Sequence, residues 1–189
     1  MEIREFDVDQ TMLRELSSEF SPVVLVKTLD LGGASASKDA ETEFENYGRS
    51  LAARSVEEGE RRSDRSYEVL KQAVAKTGEM LFPLVPQRYV EIAYLSLQPS
   101  KRLRVMLNSP AAFSYRVDDC SIYRAITEEY GESAARRMEC RGTCLALLDE
   151  LFSRFNLDVE VQMETEMAAA GSCLFRVTKG RGREAHGHS

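Results

Sequence analysis

"LDVEVQMETEMAAAGSCLFRVT", residues 157–178, decides the fold class. Leu157, Val159, Val161, Met163, Thr165 and Met167 occupy one parity, and Asp158, Glu160, Gln162, Glu164 and Glu166 the other. An apolar/polar period of two is the signature of a strand with one buried and one wet face. "AAAG" turns the chain and "SCLFRVT" returns it, with Cys173, Phe175 and Val177 sharing a face. The pair reads as an antiparallel hairpin.

Upstream, "RLRVMLN" (102–108) and "FSYRV" (113–117) also alternate, and "RYVEIAYLSL" (88–97) is rich in Tyr, Val and Ile. These predict two or three antiparallel strands, a β-meander ahead of the hairpin. The rest is helical in pattern. Phe6, Leu13, Leu16 and Phe20 mark an opening helix, and "SPVVLVKT" fits a short strand or a buried helical turn. "GGASASKD" is a loop in which Ser37 or Asp39 can cap the next helix. Apolar residues at threes and fours run from Ala40 to Met80, with a break expected at Gly59, and "FPLVP" ends the region. Asp118 and Asp119 precede a helix starting near Cys120 and interrupted at Gly131. The next runs from about Glu132 to Phe155, with a stripe of Cys144, Leu145, Leu148, Leu151, Phe152 and Phe155. Segregated helices and strands argue for an α+β fold: a twisted antiparallel sheet, meander plus C-terminal hairpin, covered by helices on one face.

At 189 residues the chain suits one domain, residues 1–178, and a polar, Gly-rich tail, 179–189, expected to be disordered. Net charge is −6, and the densest basic stretch, "GERRSDRS" (59–66), is interleaved with acids, so a nucleic-acid partner is not expected. No apolar run is long enough to span a membrane, and "MEIREFDVD" lacks the regions of a signal peptide. A cytoplasmic location is the resulting expectation, with cysteines that are free thiols, metal ligands or catalysts rather than disulfides.

The two histidines, His186 and His188, both lie in the tail, which removes histidine chemistry from the core. No phosphate loop, dinucleotide fingerprint or nucleophile elbow is present. Thiols and carboxylates remain. Cys120 stands at a strand-to-helix junction, where N–H groups and the helix dipole favour thiolate while Asp118 and Asp119 oppose it. Cys140 and Cys144 are one helical turn apart and supply two metal ligands or two core residues. Cys173 on the hairpin is a third ligand or packing, and Glu164 joins them only if a bulge or twist turns it inward. Tyr115 and Tyr123 are candidate pocket residues or packed aromatics.

"FSYRVDDCSIYRAITEEYG" (113–131), "MEC" (138–140) and "ETEMAAAGSCLFRV" (164–177) together resemble the L-2-amino-thiazoline-4-carboxylic acid hydrolase-like family, with Cys120, Cys140, Cys173, Gly171 and Phe175 at its motif positions. The same ending is similar to the 4-vinyl reductase (V4R) hydrocarbon-binding domain, related in fold to a TRAPP subunit, through Cys140, Glu164, Gly171, Cys173 and Phe175. Met167 stands where V4R-type zinc sites carry a cysteine, leaving Cys144 to substitute. Two functions are implied. One is a small-molecule hydrolase opening a C–N bond of a small organic acid, with Cys120 or Cys140 as nucleophile and Asp119 or Glu164 moving protons. Thiol activation would then come from a helix N-terminus, a metal, or an arginine such as Arg136, Arg137 or Arg141. The other is a non-catalytic pocket for an apolar or aromatic ligand, with Tyr115, Tyr123 and Arg141 contacting it. Zinc on Cys140, Cys144, Cys173 and Glu164, and a homodimer, are further implications of the resemblance.

Overall fold

The structure, a computed structural model, describes residues 8–29, 36–62, 65–77, 82–98, 103–138 and 140–180. Phe6, the start of the "GGASASKD" loop, most of the tail and both histidines lie outside these residues.

Helix α1 (Gln10–Glu19) starts at Asp9, whose Oδ1 accepts from the N–H groups of Thr11 and Met12, both at 2.8 Å. Helix α2 (Pro22–Thr28) settles the ambiguous "SPVVLVKT". Ser21 caps it through the Val24 N–H, and Pro22 occupies the first turn, where its missing N–H costs nothing. Helix α3 (Ala36–Arg61) begins ahead of Ser37 and Asp39, so neither is its cap. It also runs through Gly59 instead of breaking there. Gly59 is a point of close approach: a Cβ would meet the Tyr89 ring at 2.8 Å and Ile92 Cδ1 at 2.9 Å. Helix α4 (Arg65–Thr77) is next in the chain.

Helix α5 (Leu84–Leu97) overturns the strand expected over 88–97. Val85, Tyr89, Val90, Ile92 and Ala93 are buried, and so are Gln87, Arg88 and Glu91. A helix buried nearly all round shows no one-sided 3.6-residue stripe, and its Tyr/Val/Ile content then imitates a strand.

Strands β1 (Arg104–Asn108) and β2 (Ala112–Val117), helices α6 (Ser121–Tyr130), α7 (Glu132–Ala135) and α8 (Arg141–Arg154), strand β3 (Val159–Thr165), the short helix α9 (Met167–Ala170) and strand β4 (Cys173–Lys179) complete the chain. The helix expected over 132–155 is therefore two pieces, with Cys140 at the N-cap position of α8. The apolar stripe that holds α8 down begins only at Cys144. Between Glu132 and that point, Ala135 is the sole fully buried apolar residue among the described residues, and nothing extends the helix straight back.

The sheet has the order β1-β2-β4-β3, antiparallel throughout, so the hairpin inserts β4 beside β2. Phe113, Tyr115, Phe175 and Val177 line its inner face and pack in one core with Tyr89, Ile92, Leu148, Leu151 and Phe152 of α5 and α8. Tyr115 stacks on Phe175 with centroids 5.0 Å apart. Glu160, Gln162, Glu164 and Arg176 are exposed on the outer face. The α+β class and the antiparallel sheet agree with the sequence reading. Among the described residues, no helix is long and apolar enough to cross a membrane.

A second, smaller core joins Leu25, Val26 and Leu29 to Ala40 and Phe44 of α3, to Ile122, Ala125 and Ile126 of α6, and to Ala135. Tyr130 ties it together by donating its hydroxyl toward the carbonyls of Val26 and Leu29, at 3.1 and 2.8 Å. Cys120 packs against both cores.

Candidate functional site

The seam between the two cores is not filled. A cavity of about 170 Å³ opens there, and all four cysteines line it. Cys120 reaches it from the end of β2, Cys140 and Cys144 from the first turn of α8, and Cys173 from the start of β4. Sulfurs spread over more than fifty positions of sequence thus share one hollow. Met138, Met163 and Met167 supply further sulfur to its wall, and the exposed Arg136, Arg137 and Arg141 surround it.

All four thiols are free, and all are held protonated. Cys120 is the N-cap of α6 without a side-chain capping bond; the helix's first N–H groups, at Ile122 and Tyr123, favour thiolate, but burial outweighs this and raises its pKa. Burial pushes Cys140 up to about 12 and Cys173 up to about 11, and Cys144 well above the ordinary thiol value. Neighbouring sulfurs add to each of these three, Cys120 first among them. Cys120, Cys140 and Cys144 keep some surface free, but that surface faces the walled hollow, where a thiolate is poorly solvated.

The remaining candidates divide. Tyr123 lines the cavity and donates its hydroxyl to Glu132 at 3.2 Å. Arg141 lines it too, paired with Glu166 at 3.1 Å. Tyr115 does not: it is a core aromatic, 4% exposed, stacked between Phe113 and Phe175. Asp119 is not among the lining residues either, and it lies 3.5 Å from Arg124. Glu164 faces the outer side of the sheet, 3.6 Å from Arg176, so it is not an inward oxygen ligand. Among the described residues, no group of three or more His, Cys, Asp or Glu is arranged to hold a metal, so the tetrahedral set expected from Cys140, Cys144, Cys173 and Glu164 is not assembled.

The carboxylate at the cavity is Glu166, which strict alternation assigns to the wet face. The register shifts between Met163 and Thr165, and the chain then bends into α9 with Glu166 as its N-cap. A bulge of this kind re-aims side chains beyond it. The only hint in the sequence is the small-residue run "AAAG", which curtails the strand.

No family model and no curated protein matches the chain. Among solved structures, a Cs H-NOX mutant with the unnatural amino acid 4-cyano-L-phenylalanine at site 5 aligns at 12% identity and a TM-score of 0.30, over 86% of this chain and 95% of that one. A likeness that loose carries no argument about fold or function.

Proposed function

We propose that this chain is a small-molecule-binding domain whose pocket takes a single-ring aromatic or similarly small apolar molecule carrying one acidic group. The observation that carries this reading is the cavity between the two cores, walled by thiols and thioethers and surrounded by arginines. Its volume is close to that of apolar protein cavities that hold benzene, about 150 Å³. Protonated thiols and thioethers are neutral and polarizable, a surface that suits a ring face. Among the described residues lining the cavity there are three arginines and one carboxylate, Glu166; Arg136 and Arg141 are paired with Glu132 and Glu166, while Arg137 donates to the neutral Ser133 hydroxyl, which leaves a cationic rim suited to an anionic substituent. The resemblance of the C-terminal third to a hydrocarbon-binding domain points the same way, and places the V4R/TRAPP-like fold within this proposal.

The hydrolase reading has one feature in its favour, the position of Cys120 at the N-terminus of α6, whose first N–H groups favour thiolate. It needs a resting thiolate, and burial works against one at each of the four sulfurs. Binding without covalent chemistry is therefore the better-supported function.

Calorimetric titration with benzoate, benzyl alcohol and toluene tests it. Benzoate should bind best. Arg141→Ala should narrow its advantage over benzyl alcohol, and Ala168→Trp, which fills the hollow from α9, should weaken all three by at least about tenfold. No heat with any of them, or Ala168→Trp binding as the wild type does, would remove the proposal.

A further inference from the structure

β3 is an outer strand of the sheet, with β4 on one side and, among the described residues, no strand on the other. The ladder fixes what its free edge offers. The Gly180 N–H donates to the Asp158 carbonyl at 2.7 Å, and the Lys179 N–H donates away from β3, to Ala111 just ahead of β2. Bonded and non-bonded pairs alternate along an antiparallel ladder, so Asp158, Glu160 and Gln162 turn their backbone N–H and C=O groups toward β4. Val159, Val161 and Met163 turn theirs outward. They stand in a regular segment that ends at the register shift between Met163 and Thr165.

The side chains of these three residues point to the inner face and are half-buried. Beside them, between the edge and α8, runs a groove of about 450 Å³ walled by Leu145, Phe152, Leu157, Val159 and Val161. The exposed Asp149 and Asp158 also line it. We propose that this edge and groove form a docking surface for an extended peptide segment of another protein, one in which apolar residues alternate with lysine or arginine. The segment adds to the sheet as a fifth strand. Its backbone bonds to Val159, Val161 and Met163, and its apolar side chains opposite those residues enter the groove. Its cationic side chains lie beside Glu160 and Glu164 on the outer face. The inference goes beyond the ring-binding reading and does not depend on it.

Charge chooses the occupant. Glu160 accepts from the neutral Gln162 Nε2 at 2.7 Å, and Asp158 has no ion pair among the described residues. Glu164 lies 3.6 Å from Arg176, and Asp149 lies 3.6 Å from Arg49. Four carboxylates thus flank the edge with two arginines in ion-pair range, which leaves room for a cationic strand. The same carboxylates work against a second copy of this chain. An antiparallel copy of β3 centred at any residue from Val159 to Gln162 sets one carboxylate directly against another: Glu160 on Asp158, on itself or on Glu164, or Glu164 on Asp158. Like charges directly opposite are destabilising, and a slip by one residue puts the valines on the wet face.

The probe is a fluorescein-labelled heptapeptide, Lys-Val-Lys-Val-Lys-Val-Lys, titrated with the full chain and followed by anisotropy. It should bind saturably. A Glu-for-Lys version, and the block peptide Lys-Lys-Lys-Lys-Val-Val-Val, should bind at least about tenfold more weakly. The double variant Glu160→Lys, Glu164→Lys should also lose about tenfold. Val161→Pro removes an outward N–H that β4 does not use, so it should weaken binding while the ladder to β4 stays formed. Amide exchange on the wild-type chain gives a readout that needs no variant to fold. The peptide should slow exchange at Val159, Val161 and Met163 and leave Glu160 and Gln162 as they were. No binding, equal binding of the block peptide, protection without that alternation, or a folded charge-reversal variant that binds as wild type would each overturn the proposal. So would a β3-mediated dimer of this chain. Benzoate binding is measured separately, so loss of one proposal leaves the other intact.

Discussion

A buried thiol can ionise only by placing a charge where water cannot reach it. The cysteine at the N-cap position of α6 shows how that contest resolves: the helix's first N–H groups favour the anion at Cys120, and desolvation still wins. The four thiols should therefore react slowly with iodoacetamide at pH 7 in the folded chain and rapidly once unfolded, with mass spectrometry assigning each site. One fast cysteine in the native state would refute the protonated cluster. The same burial has a consequence for stability. An unfolded thiol ionises near 9, whereas Cys173 and Cys140 do so near 11 and 12 in the folded chain. Between those values the native state keeps protons that the unfolded chain has lost, so stability is fully present below pH 9 and falls as pH rises through that window. The urea midpoint should drop from pH 8 to 10, and Cys144→Ala, despite its packing cost, should show a shallower drop. An identical slope in the variant would show that this sulfur does not titrate as inferred.

At the scale of elements, the packing of α3 on α8 depends on one absent side chain. A Cβ at Gly48 would overlap the carbonyl oxygen of Thr143, a backbone atom on a helix that is pinned to the sheet. A Cβ at Gly59 would press on the Tyr89 ring and the tip of Ile92, side chains that are fully buried and must repack, though no backbone atom stands in the way. Alanine gains up to about 1 kcal/mol of helix propensity at either site, so the difference lies in what must move. Gly48→Ala should cost about 2 to 3 kcal/mol, and Gly59→Ala, where side chains rather than backbone must move, about 1 kcal/mol. Urea unfolding of the two variants decides it, and equal losses would mean that the α3–α8 spacing is not set at Gly48. Element type is legible wherever one face of the element meets water. β3 alternates because Glu160, Gln162 and Glu164 lie outside, while α5 imitates a strand because it has almost no outside. The bulge before Thr165 hides Glu166 for a related reason: a period of two holds only while the ladder is regular.

For the whole molecule, the hairpin, part of the meander and the α+β class are readable from local pattern, but the insertion of β4 beside β2 is not, since strand order leaves no periodic trace. That insertion is what brings Cys173 to Cys120. The convergence of the thiols is thus inferable only as a consequence of α8 docking on the hairpin, and Tyr115, with the same local appearance as Tyr123, goes to the core instead. The resulting molecule is two cores meeting at a seam. The larger is knitted by a four-stranded ladder in which β2 and β4 each have neighbours on both sides. The smaller rests on α2, α6 and the start of α3, with few buried side chains and two Tyr130 hydrogen bonds to hold it. A hollow between them removes contacts that would otherwise couple their opening. Native-state hydrogen exchange should therefore show α2 and α6 opening as one unit, at a free energy below that of β2 and β4 and with a smaller denaturant dependence. A molecule bound at the seam touches both sides, so saturating benzoate should raise protection in α6 more than in β2. If α6 and β2 instead exchange on a single isotherm in the free chain, the two cores are one cooperative body and the cavity is a packing fault inside it.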